Sequence, residues 1–83
     1  MNSVATQMDS LVTQIAQSLV DSPEEVLVKI FEGANTIVLE LRVAKTDVGK
    51  IIGKQGRTAQ AMRLLIGAIS SKTRKRMVLE IID

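Results

Sequence analysis

One stretch of this chain concentrates residues able to do chemistry: Gly49-Lys50-Ile51-Ile52-Gly53-Lys54-Gln55-Gly56-Arg57-Thr58. Gly53 and Gly56 stand three apart and carry no Cβ, so backbone there can approach another chain's backbone closely. The amides that open the helix expected next, around Arg57 to Ala59, lack intrahelical partners and carry the positive end of its dipole, which suits a phosphate. Lys54 and Arg57 add a point charge and a forked donor for phosphate oxygens. Val48, Ile51 and Ile52 offer apolar surface for a groove beside the loop. Adjacent helical residues do not share a face, so one isoleucine of the pair belongs to the core, and the sequence leaves open which. Lys50 and Arg63 face either the groove or a helix side turned away from it.

Competing chemistries fail on spacing and composition. A P-loop needs Gly-Lys-Ser/Thr beginning five residues after its first glycine. Position 54 is Lys and position 58 is Thr, so neither Gly49 nor Gly53 starts one. No G-x-G occurs, which removes the dinucleotide fingerprint. With no Cys and no His there is no disulfide framework, no thiolate or imidazole metal site, no Cys nucleophile and no histidine-dependent triad. No cofactor is expected. The scattered carboxylates form no obvious pair, so an enzyme is not expected either. The single aromatic, Phe31, argues against stacking of bases on aromatic platforms.

The chain has 83 residues, 46% of them hydrophobic, which suits one compact domain. Its net charge of +2 conceals a segregation. Residues 1–41 carry one base and six acids, whereas residues 42–83 carry ten bases and three acids. A segregated basic half points to an anionic partner such as nucleic acid, with a solvated helix face as the plain alternative. No Lys or Arg occurs in the first 28 residues, so no signal peptide is expected. The longest apolar run, Leu64 to Ile69, is far short of the roughly 20 residues of a membrane span. A cytoplasmic domain is the expectation.

The elements that must position the loop follow from periodicity. Met8, Leu11, Val12, Ile15, Ala16, Leu19 and Val20 predict an amphipathic helix over about residues 5–20, ended by Asp21-Ser22-Pro23. Residues 1–4 are expected as a flexible tail. Val26 to Glu32 reads as a strand, and Gly33-Ala34-Asn35 as a turn of residues tolerant of positive φ. From Thr36 to Val43, Ile37, Leu39, Leu41 and Val43 share one face while Val38, Glu40 and Arg42 share the other. The two segments make an antiparallel hairpin. Thr46-Asp47 reads as the N-cap and acidic first turn of a short helix through about Ile52. A second helix, about Thr58 to Ser71, carries the stripe Ala61, Met62, Leu65, Ile66 and Ile69. Met62 and Met77 are core fillers. Lys72 to Arg76 is a basic connection, either solvated or in contact with nucleic acid, and Met77 to Ile82 is a final buried strand.

The order α-β-β-α-α-β and the run Ile51-Ile52-Gly53-Lys54-Gln55-Gly56 between two helices resemble the type II, prokaryotic KH domain, whose GXXG loop clamps four backbone nucleotides. Over its full length the chain looks like the small single-domain bacterial KH proteins of the KhpA (YlqC) family. Leu19 to Pro23, Val38 to Val43, Gly49 to Arg63 and Val78 to Asp83 carry the likeness. The resemblance implies an α+β fold with a three-stranded sheet covered on one face by helices. It implies single-stranded RNA binding, an RNA-chaperone or post-transcriptional role, and no small-molecule substrate. As partners it implies a homodimer, or a heterodimer with a KhpB-like (Jag-like) KH protein linked to cell-wall homeostasis and cell shape. By position, the RNA-binding residues are Gly53, Lys54, Gln55, Gly56, Arg57 and Thr58, with Ile51, Ile52 and Lys50 before them. Ala59 departs from the family, since many KH domains carry a larger aliphatic residue there, and this alters the groove edge.

A second class of function stays open: an interaction or dimerisation module whose RNA binding comes mainly from its partner. The uncovered sheet face would present Leu27, Phe31 and Val38 to such a partner.

Overall fold

The computed structural model describes residues 4–82. Helix α1 runs Val4–Leu19 and buries Ala5, Met8, Val12 and Ala16, with Leu11 and Ile15 packed at the flanks. That is the 3.6-residue stripe expected, although Leu19 at its end is exposed. Of the tail expected at residues 1–4, Val4 already belongs to α1, and residues 1–3, like Asp83, lie outside the described residues. Pro23 opens a 3₁₀ turn, Pro23–Glu25, where its missing N–H costs nothing.

Strand β1 (Leu27–Glu32) pairs antiparallel with β2 (Thr36–Arg42), and a 2.7 Å hydrogen bond from the Gly33 amide to the Thr36 carbonyl closes the hairpin. Neither Gly33 nor Asn35 takes the positive φ that their types allow. Along β2, Ile37, Leu39 and Leu41 are buried while Val38, Glu40 and Arg42 face outward, as the alternation requires. Strand β3 (Arg76–Ile82) lies parallel to β2 on the side away from β1, giving the order β1-β2-β3. Expected over Met77 to Ile82 as a buried strand, β3 starts one residue earlier and alternates: Met77 and Leu79 are buried, Arg76 and Glu80 exposed. A sheet covered on one face imposes that pattern.

A parallel pair needs a crossover, and helices α2 (Val48–Ile52) and α3 (Arg57–Thr73) supply it. The core joins α1, β2, α2, α3 and β3, with Val28 and Ile30 of β1 packed against it. The expected stripe of α3 is partly wrong. Ala59, Met62 and Ile66 are buried and Ile69 half-buried, whereas Ala61 and Leu65 are exposed. The buried face is turned back from the expected one because β3 docks along it. Thr73, expected in the connection, still belongs to α3, and Arg74 ends the helix in the left-handed region (φ 63°). Among the described residues no helix is long and apolar enough to cross a membrane.

Candidate nucleic-acid interface

The turn between α2 and α3 is built on three consecutive or near-consecutive left-handed residues: Gly53 (φ 79°), Gln55 (φ 59°) and Gly56 (φ 74°). Gly53 is required twice over. Its ψ of 170° places it in a region essentially reserved for glycine, and a Cβ there would sit 2.7 Å from the Thr58 Cβ. At Gly56 only the backbone angle demands glycine, since nothing lies within 4 Å of where a Cβ would stand. Gln55 adopts the same conformation without being glycine, a local strain at the tip of the turn.

The amides of the turn divide differently from the sequence expectation. The Gly53 N–H bonds the Gly49 carbonyl at 2.9 Å, the Gly56 N–H bonds the Gly53 carbonyl at 3.0 Å, and the Arg57 N–H bonds the Lys54 carbonyl. The Arg57 amide, expected as a phosphate donor, is therefore spent, together with the two glycine amides, on shaping the turn. Lys54, Gln55 and Arg57 project into solvent, Thr58 is half-buried, and neither Lys54 nor Arg57 has an ion-pair partner among the described residues.

Beside the turn lies a groove of about 370 Å³. Val48, Ile52, Ala59 and Ile81 give it an apolar lining; Gly56, Gln60 and Arg63 complete it. The structure settles the isoleucine pair. Ile51 is fully buried (0% exposed), so it has no surface for a ligand and its expected place among the binding residues is corrected, while Ile52 is 40% exposed and lines the groove. Gln60 was missed and Arg63 left undecided by sequence reasoning. Their signal is there: positions 56, 59, 60 and 63 recur at helical spacing and share one face that starts at the loop. Ile81 comes from a distant strand, and no local pattern announces it. Arg63 is held in place by donating from Nη2 to the Leu79 carbonyl at 3.3 Å.

Two expectations at the start of α2 are revised. Asp47 makes no capping hydrogen bond to its own helix. Its carboxylate is 1% exposed and reaches back across 26 residues, accepting from the amides of Asp21 (3.2 Å) and Ser22 (3.0 Å). Lys50, expected to face RNA, turns its ammonium to Asp47 (3.4 Å) and Asp21 (3.1 Å) instead. Burial works against the Asp47 charge, but the two amides and Lys50 outweigh it and hold the carboxyl below its ordinary value. Asp21, followed by Asp47, raises the Lys50 ammonium above its own. This network straps the end of α1 to the helix that carries the turn.

Comparison with known proteins identifies the family. A family model described as "KhpA/KhpB, KH domain" matches residues 9–81. A protein of Borreliella burgdorferi named RNA-binding protein KhpA is 51% identical over 73 residues, spanning 88% of this chain and 89% of the relative. One of the same name from Clostridium acetobutylicum is 53% identical over 75 residues, 90% of this chain and all of the relative. Among solved structures, Aquifex aeolicus Era bound to GDP and AlF4⁻ superposes with a TM-score of 0.61 at 22% identity, covering 98% of this chain but 31% of the Era chain. Era in complex with MgGDPNP and nucleotides 1506–1542 of 16S ribosomal RNA gives 0.62 at 22% identity, over 96% of this chain and 30% of that one. At that identity the likeness to Era concerns the fold alone. With a family model spanning nearly the whole described domain and relatives about half identical along their length, the chain belongs to the KhpA/KhpB family of KH domains.

Proposed function

We propose that this protein binds single-stranded RNA by clamping its backbone at the Gly53–Gly56 turn, as an RNA chaperone or post-transcriptional regulator. The observation that carries this is an apolar groove directly beside a left-handed glycine turn flanked by two unpaired cations, Lys54 and Arg57. The glycine amides are internally bonded, so the phosphate contacts come from the Lys54 and Gln55 amides, the Lys54 ammonium and the Arg57 guanidinium. Bases lie against Ile52, Val48 and Ala59. The choice of RNA is supported by the relatives, which are named RNA-binding protein KhpA.

With about four phosphates engaged, log affinity falls with log salt at a slope near −3, from roughly 0.7 per contact for a single strand. The test is fluorescence anisotropy of a labelled single-stranded RNA at two salt concentrations, comparing the wild type with Lys54→Asp/Gln55→Asp after circular dichroism shows both folded. Binding that survives the double substitution overturns the clamp.

A second reading rests on Leu64 and Leu65, 76% and 52% exposed on the outer side of α3. Such a pair suits self-association or docking of a KhpB-like partner in the cytoplasm, and a cell-wall or cell-shape role would follow from that partnership. Two weak sites in one dimer gain avidity, so the readings are compatible. Sedimentation over a wide concentration range decides the self-association: a strict monomer removes it.

A further inference from the structure

A second cavity, of about 180 Å³, adjoins the groove along the seam between α3 and β3. Its lining includes Arg63, which also lines the groove, and Arg76 at the far end; Ile66, Met77 and Leu79 form its floor. We propose that the RNA track continues from the loop groove over Arg63 into this second cavity, so that the footprint is longer than the four nucleotides clamped at the GXXG turn. The inference rests on the RNA-binding reading and extends it to residues outside the loop.

Charge placement argues for a polyanion as the occupant. Four of the described acids neutralise bases elsewhere: Asp21 and Asp47 hold Lys50, Glu32 holds Lys75 at 2.6 Å, and Glu40 holds Arg42 at 3.5 Å. Arg63 and Arg76 have no such partner among the described residues, and no acid lines either cavity. Glu80, on the same side of β3 as Arg76 and in register with Glu40, lines neither cavity. The floor residues are buried apolar side chains with little surface of their own, so the seam meets a strand through its arginine rim.

Arg63 has the geometry of a junction. Its hydrogen bond to the Leu79 carbonyl uses one of five donors and orients the planar guanidinium between the two cavities. The remaining donors can serve a phosphate or a base edge on either side. Arg76, exposed at the start of β3, then takes the next phosphate along the strand.

The test is anisotropy with fluorescein-labelled, sequence-randomised RNA pools four nucleotides long and about eight nucleotides long, using wild type, Arg76→Gln, Arg76→Glu and the Lys54→Asp/Gln55→Asp control, each verified folded. We expect Arg76→Gln to weaken the longer pool roughly fivefold and to reduce its salt slope by about 0.7, with the shorter pool unchanged. Arg76→Glu weakens the longer pool further. Equal effects of the Arg76 substitutions on both lengths, or none on either, overturn the extended track while leaving the clamp intact. Loss of the shorter pool but not the longer in the control also overturns it, because the seam would then bind without the loop. Absence of binding to both pools by the wild type overturns the RNA reading and the extension together.

Discussion

At the scale of single residues, Asp47 has the most to test. Its pKa is lower folded than unfolded, so its contribution to stability is present above the unfolded value near 3.8 and disappears as pH falls through the folded one. Urea midpoints measured from pH 7 downward therefore decline in acid, and Asp47→Asn shows a lower midpoint at neutral pH with a shallower acid decline. An unchanged acid limb in Asp47→Asn would mean that other carboxylates govern it. Lys50 has the opposite sign: its pKa is raised, so its contribution holds below 10.5 and fades as pH climbs through the folded value. Lys50→Met accordingly lowers the urea midpoint more than it lowers RNA affinity, and Lys54→Met does the reverse. The two glycines differ as well. Gly53→Ala costs roughly 1–3 kcal/mol for its backbone region alone, plus the collision with Thr58, whereas Gly56→Ala meets open space and costs roughly 1–2 kcal/mol. Equal losses in chemical denaturation would contradict the clash.

At the scale of elements, α3 carries three jobs on three faces. Met62 and Ile66 anchor it to the core, Gln60 and Arg63 line the groove, and Leu64 and Leu65 look outward. Ile66→Ala is expected to cost about 2–5 kcal/mol through lost burial and the cavity left behind. Leu65→Ala stays within about 1 kcal/mol, since its side chain is half in solvent already. A comparable loss at Leu65 would show that the exposed pair is covered in solution. The end of α3 is improvable: Arg74 occupies a left-handed position that glycine adopts freely, so Arg74→Gly raises stability by up to about 1 kcal/mol in thermal unfolding. The 3.6-residue period identified α3 from the sequence, yet it misplaced the buried face. Ala61 and Leu65 fit a helical stripe as well as Ala59 does, and only the docking of β3 chooses between them.

At the scale of the whole molecule, topology explains why the turn lies where it does. Because β3 runs parallel to β2, the chain must cross over between them, and the glycine turn sits inside that crossover, braced by α1 through Asp47 on one side and opening onto β3 on the other. The basic half of the sequence becomes a surface only after folding, when acids of the first half pair off Lys50, Lys75 and Arg42. Among the described residues, Lys54 and Arg57 at the turn and Arg63 and Arg76 at the α3–β3 seam stay without an ion-pair partner. Salt dependence of RNA binding is thus a property of the folded charge pattern, not of the net charge.

Local chemistry was determined by the sequence alone: element order from periods of 3.6 and 2, the hairpin from its alternation, and the turn from Gly53-Lys54-Gln55-Gly56 between apolar helices. These are short-range features, and a chain of side chains with fixed spacing suffices to express them. Tertiary structure decided which isoleucine is buried, where the Asp47 carboxylate goes, which turn amides are already spent, and that Ile81 meets Arg63 across the groove. Each of these depends on contacts between segments far apart in the chain, whose docking is set by the packing of whole faces and leaves no periodic trace in either segment.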